Sequence, residues 1–164
     1  MRFALEPEPS IQQTPMHTLM APRHARAAAP IQVSASPTQF ACGNLLESML
    51  RANPGTLAAV IGTADGRAFA HAAQPGQQVE APRIAAVASS LLALSESFSG
   101  EALGSRAEYN SIATPRGTIV IVRVPTRARA HVLCLWADKS ENFAMALRGA
   151  LDCAAQTAAL IDAD

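Results

Sequence analysis

The twelve residues from Ile84 to Ser95 (IAAVASSLLALS) read as a helix without a charge on any face. A helix of small and apolar residues all round has two sides to cover, one on its own sheet and one on something else. The second cover is expected to be another copy of the chain. On a helical wheel Ile84, Val87, Leu91, Leu94 and Phe98 gather on one side, and Ala85, Ala86, Ser89 and Ala93 on the other. The larger group is assigned to the sheet. The smaller group, nearly flat, is assigned to a close approach by a second helix.

Composition bounds what such a helix can belong to. The chain has 164 residues, of which 49% are apolar, enough for one domain with a real core. Its formal net charge is zero, so no global bias toward nucleic acid or anionic lipid is written into it. One Trp and one Tyr leave no interleaving of rings for stacking on bases, and nucleic acid is not expected as a partner. No apolar run approaches the ~20 residues of a membrane span. Lys139 is the single lysine among the basic residues, a skew from which no chemistry follows. Cys42, Cys134 and Cys153 are odd in number, widely separated and without a C-x-x-C pair. Buried thiols in a reducing, cytoplasmic compartment are expected, with neither a metal nor a cofactor.

Residues 1–36 differ from the rest. Pro7, Pro9, Pro15, Pro22 and Pro30 fall there among Gln, Ser and Ala without a periodic apolar pattern, which predicts a disordered tail that cannot offset its ordering entropy. The stretch lacks the unbroken apolar centre of a secretory signal, and Glu6 and Glu8 do not suit a transit peptide. A passive extension and a docking tail remain equal readings, and the short cluster of Arg23, His24 and Arg26 does not separate them.

Order is expected from residue 37 to residue 164. Ser36-Pro37-Thr38-Gln39 combines a capping hydroxyl, a proline at the first helical position and a glutamine three residues after the cap. Phe40, Cys42, Leu45, Leu46, Met49 and Leu50 continue as one apolar stripe until Asn53-Pro54-Gly55 ends the helix. Two short strands, residues 56–62 and 67–72, flank Asp65-Gly66 and are predicted to form a hairpin. The uncharged helix, over residues 82–98, follows. Strand patterns return at 107–114, 118–124 and 130–137, separated by turns at Pro115-Arg116-Gly117 and Pro125-Thr126-Arg127. Asp138 is predicted to cap a last helix with Glu141 in its first turn, packed through Phe143, Leu147, Ala150, Leu151, Ala154, Ala158 and Ile161.

In this order the chain resembles the Roadblock family, named for a dynein light chain and including bacterial regulators of Ras-like gliding-motility GTPases. The resemblance runs from about Phe40 to Ile161. It rests on Asn53-Pro54-Gly55, the strand TLAAVIG, the Asp65-Gly66 turn, the helix Ile84–Leu94, the Gly117 strand pair, and a closing helix with Asn142-Phe143 and Arg148. It implies an α/β (α+β) fold: a five-stranded antiparallel sheet with one long helix on one face and the two terminal helices on the other. It also implies a homodimer in which the second helices pack together and the third strands join edge to edge. Carried over, the dimer interface is Ala85, Ala86, Ser89, Leu92 and Ala93 on the helix, with Glu108, Tyr109, Asn110, Ser111 and Ile112 on the strand.

The sequence contains no phosphate-binding loop, dinucleotide fingerprint, nucleophile elbow or H-E-x-x-H zinc motif. His71 and His131 read as structural, and the pairs Glu96/Glu101 and Asp162/Asp164 as solubilising charges, so no catalytic residue is assigned. Arg123, Arg127 and Arg129 cluster around one turn, either as a solvated turn or as a contact for an anion or acidic partner. Arg116 is not assigned as an arginine finger. The expected function is a non-enzymatic homodimer that binds and regulates or scaffolds a small Ras-like GTPase. Two alternatives stay open: a ligand sensor or small enzyme with a polar pocket near His71, His131 or Tyr109, and a structural subunit that pairs with another Roadblock-like chain.

Overall fold

Helix α1, Pro37–Ala52, begins where the local sequence dictates. The Gln39 N–H donates to Ser36 Oγ at 3.1 Å while the Ser36 N–H donates to Gln39 Oε1 at 2.8 Å, so the reciprocal box closes. The computed structural model describes residues 35–164, and the expected tail therefore falls almost wholly outside the described residues. α1 buries Thr38, Cys42, Leu46 and Leu50, a strict i+4 row. Phe40, assigned to that stripe from its spacing, points to solvent, because two residues from Thr38 and Cys42 place it on the opposite side of the helix.

Strands β1, Thr56–Thr63, and β2, Ala68–Ala73, pair antiparallel through the Asp65-Gly66 turn, where Gly66 adopts φ +83°. α2 follows at Ala81–Leu103, longer than predicted, and stops at Gly104 in the left-handed conformation with φ +66°. Strands β3, Tyr109–Thr114, β4, Gly117–Val124, and β5, His131–Asp138, form a meander, and α3, Phe143–Ile161, closes the fold. Asp138 does not cap α3 as expected. Its carboxylate instead accepts from the Ser140 N–H and hydroxyl within the preceding turn, and Asn142 caps the helix by accepting from the Ala144 N–H at 2.8 Å. The Ser140 hydroxyl holds the Asp138 carboxyl below its ordinary value.

All five strands are antiparallel in the order β2-β1-β5-β4-β3, which leaves β2 and β3 at the edges. Alternation along each strand sends one set of side chains to each face. Ala59, Ile61, Val120, Val122, Val124, Leu133 and Leu135 face α1 and α3 and make the main core with Cys42, Leu46, Ala150 and Ala154. α3 contacts it chiefly through Ala146, Ala150, Cys153, Ala154, Thr157 and Ala158, whereas Phe143 and Leu151, assigned to its buried stripe, remain exposed at its margin. Burial pushes the Cys134 thiol up to about 12 and that of Cys153 up to about 11, so both are protonated at neutral pH.

Candidate interaction surface

On the other face of the sheet α2 is the one helix among the described residues. It seats itself with its small residues: Ala81, Ala85, Ala88 and Leu92 are buried against Val60, Ile121, Val132 and Cys134. The approach is close because β1 offers a notch. A Cβ built on Gly62 would lie 2.9 Å from Ala85 Cβ, well inside van der Waals contact. The Ser89 hydroxyl donates to the Thr63 carbonyl oxygen at 2.8 Å, adding a polar tie beside the notch.

This reverses the helical-wheel assignment. Ala85 and Leu92, expected at a contact with a second copy, belong to the packing within the chain, and Ser89 is engaged by β1. Only Ala86 and Ala93 of the expected helix contact are exposed. Val87, Leu94 and Phe98, expected on the sheet, point away from it, with Leu94 67% and Phe98 75% exposed. Leu103 in the last turn is 80% exposed. Ile84 and Leu91 sit between the two sides, partly buried against the α2-face core, as Ile119 and Trp136 of the sheet are. The structure divides both groups: Ile84 and Leu91 reach the sheet side, while Ala86 and Ala93 turn outward beside Val87 and Leu94.

The outward stripe is continuous with the β3 side of the sheet. Ile112, a third exposed, points to the same face as Asn110, whose Nδ2 donates to Ser95 Oγ at 2.6 Å. Arg123 Nε donates to Glu96 Oε1 at 2.8 Å, fastening β4 to α2 in a half-buried ion pair. These two ties hold helix and strand as one rigid surface. β3 itself pairs with β4 in an unbroken register from Tyr109↔Val122 to Thr114↔Gly117, and its outer edge carries no Lys, Pro or bulge. Such an edge presents unpaired backbone N–H and C=O groups that can accept another strand. Of the remaining expected strand contacts, Glu108 and Ser111 are exposed, and Tyr109 turns to the opposite face, where its ring lies 6.3 Å from that of Phe143.

The arginine cluster is divided. Arg123 is held by Glu96 on the α2 face, while Arg127 and Arg129 remain together on the turn after β4. His71 is exposed on β2, and Glu101 is exposed near the end of α2, well along the helix from Glu96. His131 is 4% exposed and meets the Phe69 ring edge-on at 5.0 Å. Among the described residues no group of three or more His, Cys, Asp or Glu is placed to hold a metal, and no helix is long and apolar enough to cross a membrane. Nothing in the sequence pattern had singled out Gly62 or Thr38. Their importance depends on which element approaches them.

No protein-family profile and no curated protein sequence matches the chain. Solved structures do. The gliding protein MglB of Thermus thermophilus superposes with a TM-score of 0.70 at 15% identity, covering 84% of this chain and all of that one. An MglB structure described as a tetrameric arrangement gives 0.69 at 16% identity, covering 81% and 96%. A Roadblock/LC7 domain from Streptomyces avermitilis gives 0.62 at 16% identity, covering 73% and 96%. At such identities the likeness speaks to architecture, and it agrees in element order with the five-stranded sheet and its three helices. The chain has a Roadblock-like fold.

Proposed function

We propose that this chain is a non-enzymatic interaction module that forms a homodimer through α2 and β3 and, as a dimer, binds and regulates or scaffolds a small Ras-like GTPase. The observation that carries the dimer is the exposed apolar stripe Val87, Leu94 and Phe98 alongside an unprotected strand edge. Large apolar side chains left in water on one continuous surface stabilise association by about 1.5–3 kcal/mol each when buried. Across a two-fold axis the same stripe meets itself, with Ala86 and Ala93 beside it allowing the helices to approach, and the two β3 edges extend one sheet. Ala86, Ala93, Glu108, Asn110, Ser111 and Ile112 thus stay in the proposed interface, joined by Val87, Leu94 and Phe98.

The GTPase comes from the Roadblock resemblance and is supported by the likeness of the fold to MglB. Arg127 and Arg129 are the proposed contacts for an acidic patch of that partner, with Arg123 supporting the platform through Glu96. Regulation then works by preference: a surface that fits one nucleotide state of the partner better biases the population toward it. Free, buried thiols fit a cytoplasmic setting.

Sedimentation of the full chain at micromolar concentration tests the dimer. The native chain is expected at twice the mass of the Leu94→Arg/Phe98→Arg variant, and a native monomer defeats the reading. A pull-down with a co-encoded small GTPase, loaded with GDP or with a GTP analogue, tests the partner. Retention of one loaded form over the other is expected. Equal recovery with the native chain and the double variant would refute a dimer-dependent platform.

A further inference from the structure

At the far end of the closed face, the one covered by α1 and α3, a cavity of about 600 Å³ opens where α1 begins and α3 ends, beside the turn after β4. This volume lies in the range of small-molecule sites. Its wall has an apolar part, Phe69 and Ile161, and a polar part that is only partly used within the chain.

Three donors converge there. Thr38 lies in the first turn of the sixteen-residue α1, is 9% exposed, and its hydroxyl has no hydrogen-bond partner among the described residues. The first turn of α1 carries no acidic residue, so the positive end of its dipole is not offset from within the helix. Arg129 makes no ion pair among the described residues, and Arg127 approaches Asp162 only at 4.0 Å. The two exposed guanidiniums stand at the mouth of the cavity with donors left for an anion, and Thr38 lies on its wall.

Acceptors complete the cavity. His131 Nδ1 lies 2.9 Å from the Arg129 carbonyl oxygen, which can only accept, so that nitrogen carries the proton. In the neutral ring Nε2 is then an acceptor, and no partner meets it among the described residues. The Asp162 carboxylate accepts the Arg127 N–H at 3.0 Å and has further lone pairs, and Asp164 stands beside it. A bare anion would suit the arginines and Thr38 but not these carboxylates. A molecule with one anionic group and several hydroxyl donors suits both sets.

We propose that this cavity binds a small hydroxylated phosphomonoester. The phosphate is held by Arg129, Arg127 and the Thr38 end of α1, while ligand hydroxyls donate to His131 Nε2 and Asp162. The site lies on the opposite face of the sheet from α2 and stands independently of the proposed dimer, although it shares Arg127 and Arg129 with the proposed GTPase contact, so ligand and GTPase would compete for them.

Titration calorimetry on the full chain with glycerol 3-phosphate tests it, using inorganic phosphate and glycerol as comparators. Saturable binding of glycerol 3-phosphate is expected, with weaker binding of phosphate and none of glycerol. Arg129→Ala should weaken binding about tenfold or more, and the near-isosteric Thr38→Val about threefold. Unchanged melting temperatures would show that either loss is local, and the exposed Arg129 keeps the test open should Thr38→Val unfold. Absence of saturable binding by the native chain, or equal binding by both variants, overturns the proposal. Phosphate binding as tightly as glycerol 3-phosphate overturns the part given to His131 and Asp162. Self-association, measured on the same samples, should not change, which separates a failure here from a failure of the dimer.

Discussion

The two faces of one sheet are covered by different means. On the closed face two helices press against long side chains, and Leu46, Ile61, Leu133 and Leu135 are fully buried among three valines of β4. On the α2 face a single helix settles on alanines over a glycine notch, and its larger side chains are turned outward. The first arrangement is closed over its centre, because the interlocked residues there exclude water, and opens at the cavity where α1 begins and α3 ends. The second covers the sheet by proximity rather than bulk and leaves the helix with apolar surface still to bury. Within this fold, small residues mark the intramolecular seat and large ones the surface offered to a partner.

Substitutions at matched positions would sharpen or break that contrast. The largest effect should come from the closed face: Ile61→Ala or Leu135→Ala should cost about 2–5 kcal/mol in denaturant unfolding, because each leaves a cavity in packed surroundings. A cost under a quarter of that would show the face to be loosely packed. Gly62→Val should come next, at about 1–3 kcal/mol, since its side chain would drive α2 off the notch at Ala85. Leu94→Arg/Phe98→Arg should barely alter unfolding of the monomer at high dilution, within about 0.5 kcal/mol, while removing the concentration dependence of the native melting temperature. A large loss of monomer stability would mean that the stripe serves the fold.

The smallest effect concerns the turn before α3. The Ser140 hydrogen bonds keep the Asp138 carboxyl below its usual value, so the group contributes stability above its unfolded pKa and loses it as pH falls through the folded one. Asp138→Asn should therefore lower the neutral-pH melting temperature slightly and flatten its fall between about pH 5 and pH 3, where the native chain loses the same contribution. An identical acid limb in native and variant chains would remove Asp138 from the account.

Much of the architecture was legible because punctuation is local. Ser36 through Gln39 closes its box with groups three residues apart, Asp65-Gly66 supplies the turn angles, and the β-branched run of β4 leaves one conformation for those residues. Misreadings occurred where one local signal competed with another. Asp138 and Asn142 are both good capping residues, and the Ser140 turn claimed the first. Phe40, Phe143 and Leu151 fit the buried stripes by spacing, although the rows that pack run through Thr38, Cys42, Leu46 and Leu50 in α1 and through Ala146, Ala150, Cys153, Ala154, Thr157 and Ala158 in α3. The arginines adjacent in sequence were separated by strand alternation and by Glu96.

From the sequence alone came the order of elements, their punctuation and the uncharged character of α2, since all of these depend on residues within a turn or two of each other. Tertiary structure decided which residues of α2 meet the sheet, that β3 is left as an edge, and that Thr38, Arg129 and His131 border one cavity. The reason is distance: a helical period specifies angles around an axis, whereas the direction of a stripe depends on how near the axis can come to the sheet. That nearness is set here by the missing side chain of Gly62, a strand away from the helix it seats.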